Sequence, residues 1–196
     1  MDSHFQSIIR QRIEESLQLK QQLLADDALI ATVETMSQLV IDAFRADKKV
    51  LFCGNGGSAA DAQHLATELA GRFYLDRPAL FAEALPVNVP FVTAISNDYD
   101  YSYSIARLVE SKGRPGDVLI ALSTSGQSPN ILKALEAAEN AQMLRLGFTG
   151  KTGGSMPQLC DHCLIIPSDD TPRIQEAHML LGHVLCELVE HRLFSP

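Results

Sequence analysis

The chain has 196 residues, 46% of them hydrophobic, and carries 24 acidic against 16 basic side chains for a formal net charge of −8. This is enough apolar material for one sizeable core, and the acidic balance argues against a general nucleic-acid or membrane-surface role, which depends on basic patches. Residues 1–7 (MDSHFQS) lack the apolar centre of a signal peptide and no apolar run approaches membrane-spanning length, so a cytoplasmic protein with neither nucleic acid nor membrane as partner is expected.

Residues from about Phe5 to Leu24 place Ile8, Ile9, Ile13, Leu17 and Leu23 among polar residues, the pattern of an amphipathic helix. A second helix is predicted over Leu29 to Phe44, with Ile30, Val33, Met36, Leu39, Val40 and Ala43 on its apolar side. Lying ahead of the first strand, these helices are expected partly to cover the sheet and partly to bundle with another subunit. From Lys49 onward strands and helices alternate, which implies a parallel sheet with helices on both faces. Strands are predicted near Val50 to Cys53, Phe81 to Leu85, Val118 to Leu122, Leu144 to Thr149 and Cys163 to Pro167, and a last helix over Pro172 to Phe194 with Asp169, Asp170 and Thr171 available as caps. The organisation is one domain over 1–196, a helical arm at 1–46 and an α/β core at 47–196.

Two strand-to-helix turns stand out, Val50 to Ser58 (VLFCGNGGS) and Leu119 to Ser128 (LIALSTSGQS). Each ends an apolar run in small, polar residues ahead of a helical pattern, and a helix N-terminus with glycines and hydroxyls around it is suited to a phosphate. Gly54, Gly56 and Ala59 match the spacing of a dinucleotide fingerprint, with Asp76 and Glu83 loosely available for a ribose, but the Ser-Thr-Ser turn has no place in that scheme. A phosphorylated sugar suits both turns better. In open parallel sheets ligands bind beyond the carboxyl ends of strands, where Ser96, Asn97 and Asp98 are also expected, in a loop at a helix end.

His64 and Glu68, four residues apart, share one helix face and can meet one metal ion or one substrate. Gln175, His178 and His183 lie along the last helix, Gln175 and His183 about 12 Å of helical rise apart, so a shared ligand needs long side chains converging or donors from different subunits. Cys160 and Cys163 form a single C-x-x-C pair entering a strand-like run and read as buried thiols rather than as a metal or redox site.

Cys53 to Glu68 (CGNGGSAADAQHLATE), Ser96 to Asp98, Ser123 to Ser128 (STSGQS) and Arg173 to His178 (RIQEAH) with His183 together resemble the bacterial phosphoheptose isomerases, sugar-isomerase (SIS) domain proteins, over nearly the whole chain. The resemblance implies an SIS-type α/β three-layer sandwich, with a five-stranded parallel sheet flanked by helices and preceded by two N-terminal helices. It implies conversion of sedoheptulose 7-phosphate to a glycero-manno-heptose 7-phosphate by a homotetramer whose sites form at subunit contacts. Carried over residue by residue, Ser123, Thr124, Ser125 and Ser128 hold phosphate, Asn55, Gly56, Gly57 and Ser58 hold the sugar chain, and Asn97, Asp98 and Gln175 add substrate contacts. Glu68 and His183 match the acid/base pair, and His64, Glu68, Gln175 and His183 match a zinc site. Other proteins on this scaffold sense phosphosugars or bind the replication initiator without catalysing. The initiator-binding ones lack a carboxylate at the position of Glu68 and carry Arg within the Ser-Thr-Ser turn, so Glu68 and an intact Ser123 to Ser125 favour the enzyme.

Overall fold

A computed structural model describes residues 3–195; Met1, Asp2 and Pro196, which the domain assignment includes, lie outside them. Helices α1 (Ser3–Leu24) and α2 (Asp27–Arg45) lead into β1 (Val50–Cys53), α3 (Gly57–Ala70), β2 (Ala82–Ala84), α4 (Val89–Asp98), α5 (Ser104–Lys112) and β3 (Val118–Ser123). The chain continues through α6 (Pro129–Asn140), β4 (Leu144–Gly150), α7 (Met156–Leu159), β5 (His162–Ile166) and α8 (Thr171–Phe194). The strands form one five-stranded parallel sheet in the order β2-β1-β3-β4-β5.

That order dictates where the helices go. Right-handed crossovers put α3, which carries the chain outward from β1 to β2, on one face, and the later crossovers, which run the other way, on the opposite face. The side chains agree. Val50, Phe52, Val118, Ile120, Leu122, Leu146 and Phe148 pack with residues of α2, α3 and α8, whereas Leu51, Cys53, Leu119 and Ala121 pack with Ile105, Leu108 and Val109 of α5 and Ile131, Ala134 and Leu135 of α6. β1 and β3 are fully buried, which is why both read as unbroken apolar runs. The sheet winds outward in opposite senses from β1 and from the parallel β3 beside it, so the two polar turns emerge side by side at the crevice where ligands of such sheets bind.

Helix α1 covers the core only in part, and two local expectations differ. Of the apolar stripe on α1, Leu23 is buried but Ile8, Ile9, Ile13 and Leu17 are 40–65% exposed, because α1 leans on α8 through Leu19 and Leu23 and turns the stripe outward. Polar bonds fix that pose: Arg173 Nη1 donates to the carbonyl of Arg12, and Ser16 Oγ donates to Glu176. Ser96 to Asp98 form the last turn of α4 rather than a loop, since Asn88 caps Phe91 N–H and the helix closes only at Tyr99. Asp170 is the N-cap residue of α8 but makes no side-chain capping bond.

Candidate active site

The site is built on α3 and α8, which run side by side in the same direction. Gly57 at the start of α3 touches Gln175 near the start of α8, and two turns on Leu65 packs against Gly182. A Cβ at Gly57 would lie 2.2 Å from Gln175 Nε2, so only glycine lets that amide settle against the foot of α3. On the same face of α3, Asp61, His64 and Glu68 follow at helical spacing.

One turn after another, this pairing brings His64, Glu68 and His183 together. Nε2 of His64 is 3.0 Å from Glu68 Oε1 and 3.1 Å from His183 Nε2, and His183 Nε2 is 3.3 Å from the same carboxylate oxygen. Three acceptor-bearing atoms thus face one another, and one proton can bridge only one edge of such a triangle. Ligand atoms about 2.0–2.1 Å from a tetrahedral zinc ion stand about 3.3–3.4 Å apart, close to the edges seen here. Among the described residues Glu68 Oε2 is enclosed and has no hydrogen-bond partner, so it retains lone pairs for a proton or a cation. The donor set therefore fits a zinc ion at three positions. Gln175 lies toward the foot of α3, its amide against Gly57. Glu68 is 13% exposed as a side chain and the imidazoles 39% and 54%, which leaves the triangle open on the histidine side.

The side of Glu68 away from the histidines faces the core. Cys186 on α8 is buried at its back, and burial first, then the charge of Glu68, push its thiol far up. Burial likewise raises the carboxyl of Asp61, partly opposed by His64, and Asp61 Oδ2 has no partner among the described residues. Cys53, ending β1, is pushed up to about 12 by burial and is an unreactive core thiol. Cys160 and Cys163 pack against the second core beside Gly147.

The two turns are tied to each other. Asn55 and Asn130 exchange amide hydrogen bonds of 2.8 Å in both directions, and Tyr101 donates its hydroxyl to Asn55 at 2.7 Å. The amide of Asn55 is therefore held within the protein, and the turn of Gly56, Gly57 and Ser58 is fixed from one side. In the second turn Ser123 and Ser128 hydroxyls stand 3.1 Å apart, Ser125 Oγ accepts from Gln127 N–H, and Thr124 and Ser125 are half-buried. Gly126 has φ +63°, and a Cβ there would meet the Gly153 carbonyl at 1.9 Å, so this turn closes only with glycine. Asn97 and Asp98 lie exposed at the end of α4 and bond to each other, Asn97 Nδ2 donating to Asp98 at 3.1 Å.

Several residues in this region escaped sequence reasoning. Asp61 was visible in principle, as the acidic residue one turn before His64. Asn130 and Tyr101 gave no local sign, because their meaning comes from facing Asn55 across the crevice. Phe73 stacks on His183, ring centroids 5.8 Å apart and planes 17° from parallel, and nothing in its neighbourhood of the sequence announces a histidine 110 positions away.

The sequence matches the SIS domain family over residues 13–150. It is 48% identical over 189 residues to phosphoheptose isomerase 2 of Campylobacter jejuni, covering 96% of this chain and 94% of that protein. Among solved structures it is similar to the phosphoheptose isomerases of Francisella tularensis (34% identity, TM-score 0.91, 97% of this chain and 100% of the other) and Neisseria gonorrhoeae (36%, 0.89, 95% and 98%). With the five-stranded parallel sheet and the crevice described above, these likenesses establish that the chain belongs to the phosphoheptose isomerases of the SIS domain family.

Proposed function

We infer that this chain isomerises sedoheptulose 7-phosphate to D-glycero-D-manno-heptose 7-phosphate, opening a route to nucleotide-activated heptose for lipopolysaccharide or a related glycan. The observation that carries the reading is the meeting of Glu68 with His64 and His183 on a helix whose first turn adjoins the hydroxyl-rich turn at the switch point. An aldose–ketose isomerisation needs a base at carbon, a proton donor at oxygen and a means to hold the reacting carbons in place.

Ser123, Thr124, Ser125 and Ser128 anchor the phosphate, with the N-terminus of α6 adding its dipole. Asn55, Gly56, Gly57, Ser58, Asn97, Asp98 and Gln175 line the path of the sugar chain. Glu68 takes the proton from C1 of the ketose; the electron pair forms the C1–C2 double bond, and the C2 oxygen receives a proton from His183, giving the enediol. Glu68 returns the proton to C2 while O1 gives its own back to His183, which completes the aldose and restores both groups. His64, Glu68 and His183, with Gln175 as a fourth donor, would hold one zinc ion per subunit, which supplies Lewis-acid polarisation of the carbonyl when bound. His183 then serves as a ligand rather than as the donor to O2.

A homotetramer is the proposed assembly. Phe5, Ile9, Ile13 and Leu17 on α1 are 55–65% exposed, and a groove of about 580 Å³ lined by Leu24, Ile30, Leu180, Val184 and Leu188 opens between α1, α2 and α8. Among the described residues no helix is long and apolar enough to cross a membrane, and the cytoplasm is the proposed location.

Glu68→Gln tests the core of the reading, because the amide keeps the shape but cannot take the proton. Turnover of sedoheptulose 7-phosphate by the purified protein should fall at least about a thousandfold while substrate binding, read calorimetrically, changes little. A fully active variant removes Glu68 from the base role. Substrate bound without turnover by the native protein under every metal condition would instead favour a phosphosugar-binding protein.

A further inference from the structure

Arg77 and Glu190 belong to none of the motifs, yet each side chain is only 2% exposed and Arg77 Nε donates to Glu190 Oε1 at 3.0 Å. A buried ion pair is weak evidence for stability, because desolvating two charges offsets much of their attraction. The destinations of their other hydrogen bonds are more telling. Arg77 Nη2 donates to the carbonyl of Glu68 at 2.7 Å, and Nη1 to those of Leu69 at 2.8 Å and Gly71 at 3.3 Å, so the guanidinium caps the end of α3 at the residue that carries the base. Glu190, two turns beyond His183 on α8, accepts the backbone N–H of Phe73 at Oε1 and those of Tyr74 and Leu75 at Oε2, at 3.2, 2.7 and 2.9 Å. Phe73, seated in this way, lays its ring on the imidazole of His183. Burial acts to raise the Glu190 carboxyl, and the three amides together with Arg77 outweigh it and hold the group below the usual carboxylate range.

We propose that Arg77 and Glu190 are positioning residues for the isomerisation, a clamp across the α3–α8 contact in which Arg77 fixes the turn bearing Glu68, Glu190 fixes the loop that seats Phe73 on His183, and their ion pair sets the distance between the two. The proposal rests on Glu68 and His183 being the reacting pair. Neither residue of the clamp touches substrate. Its effect reaches the reaction through geometry, where a shift of about an ångström between base and carbon is enough to lower the rate by orders of magnitude.

Arg77→Lys keeps the charge but cannot reach Glu190 and three carbonyls together, and Glu190→Gln keeps the shape while presenting N–H groups where amides need acceptors. Both variants should lose about tenfold or more in kcat with KM within about twofold of the native protein. In parallel, the Cε1–H signal of His183 in histidine-labelled protein, read by NMR at one pH, should shift, while that of His162 on β5 stays in place. Variants that melt earlier but keep native kcat and an unmoved His183 signal would reduce the pair to a structural staple and overturn the proposal. Should both variants fail to fold, Phe73→Leu decides: a several-fold lower kcat at unchanged KM supports it, and native kcat overturns it. A native protein that does not turn over sedoheptulose 7-phosphate, with His183 still shifting in the variants, would leave the clamp standing and bring down the assignment of substrate.

Discussion

At the scale of single residues, burial decides what His178 does. Its ring is buried where α8 meets β4, edge-on to Phe148, with Nε2 at 3.1 Å from the Thr149 carbonyl and Nδ1 without a partner among the described residues. Burial drives its pKa down to about 4, and the bond to Thr149 opposes this only in part. The unfolded chain binds a proton at this side chain near the ordinary value of about 6.5, whereas the folded protein does so only near 4, so acid favours the unfolded state across that interval. Stability present above about pH 6.5 should decline as pH falls, by up to about 3 kcal/mol from this group by pH 4. His178→Gln keeps a donor for Thr149 without the titration. Denaturant unfolding at several pH values should show a flatter slope between 6.5 and 4 in the variant; an unchanged slope would place the acid sensitivity elsewhere.

The same scale shows what sequence can and cannot disclose about the site. His64 and Glu68 were legible because four residues on a helix is a fixed geometry, and the triangle they enter confirms that they share a face. His183 took its meaning only from the resemblance, since nothing in its own surroundings separates it from His178, which turned out to be core. Arg77 and Glu190 were illegible, being 113 positions apart and of residue types that usually sit in solvent. Long-range polar pairs have no periodicity to betray them.

At the scale of elements, buried parallel strands announce themselves, and the predicted strands lie within two residues of those observed because an apolar run bounded by small residues leaves little choice of register. Helix α1 was legible as a helix but not in orientation, because an amphipathic pattern says that a face is to be buried and not what will bury it. The second polar turn shows the opposite case, where a single residue's backbone sets an element. Gly126 adopts φ +63° and lies against the Gly153 carbonyl, so Gly126→Ala must either strain the turn or move it away from β4. The hydroxyls of Ser123, Ser125 and Ser128 would move with it. KM for the phosphosugar should rise at least about tenfold in this variant and severalfold in Ser125→Ala, with kcat less affected, as expected when uniform binding is lost. A native KM in both would put the phosphate elsewhere in the crevice.

At the scale of the whole molecule, the exposed apolar face is hard to reconcile with a monomer. Soluble proteins seldom leave a row such as Phe5, Ile9, Ile13 and Leu17 to water beside an apolar groove, and a second copy of the chain offers a matching surface by symmetry. The groove is lined by Leu180, Leu181, Val184 and Leu188 of α8, the helix that also carries His183, and Val184 is its immediate neighbour. Assembly and catalysis should therefore be coupled through α8. Ile9→Asp with Ile13→Asp places two carboxylates in the apolar stripe without touching the core or the site, and desolvating them at an interface is unfavourable. Light scattering should give about four times the 21.4 kDa protomer mass for the native protein and a smaller species for the double variant, with α8 near His183 exchanging its amide hydrogens faster and turnover reduced. A native protein that scatters as a monomer would refute the tetramer, and a dissociated variant with full activity would show that each site is complete within one chain.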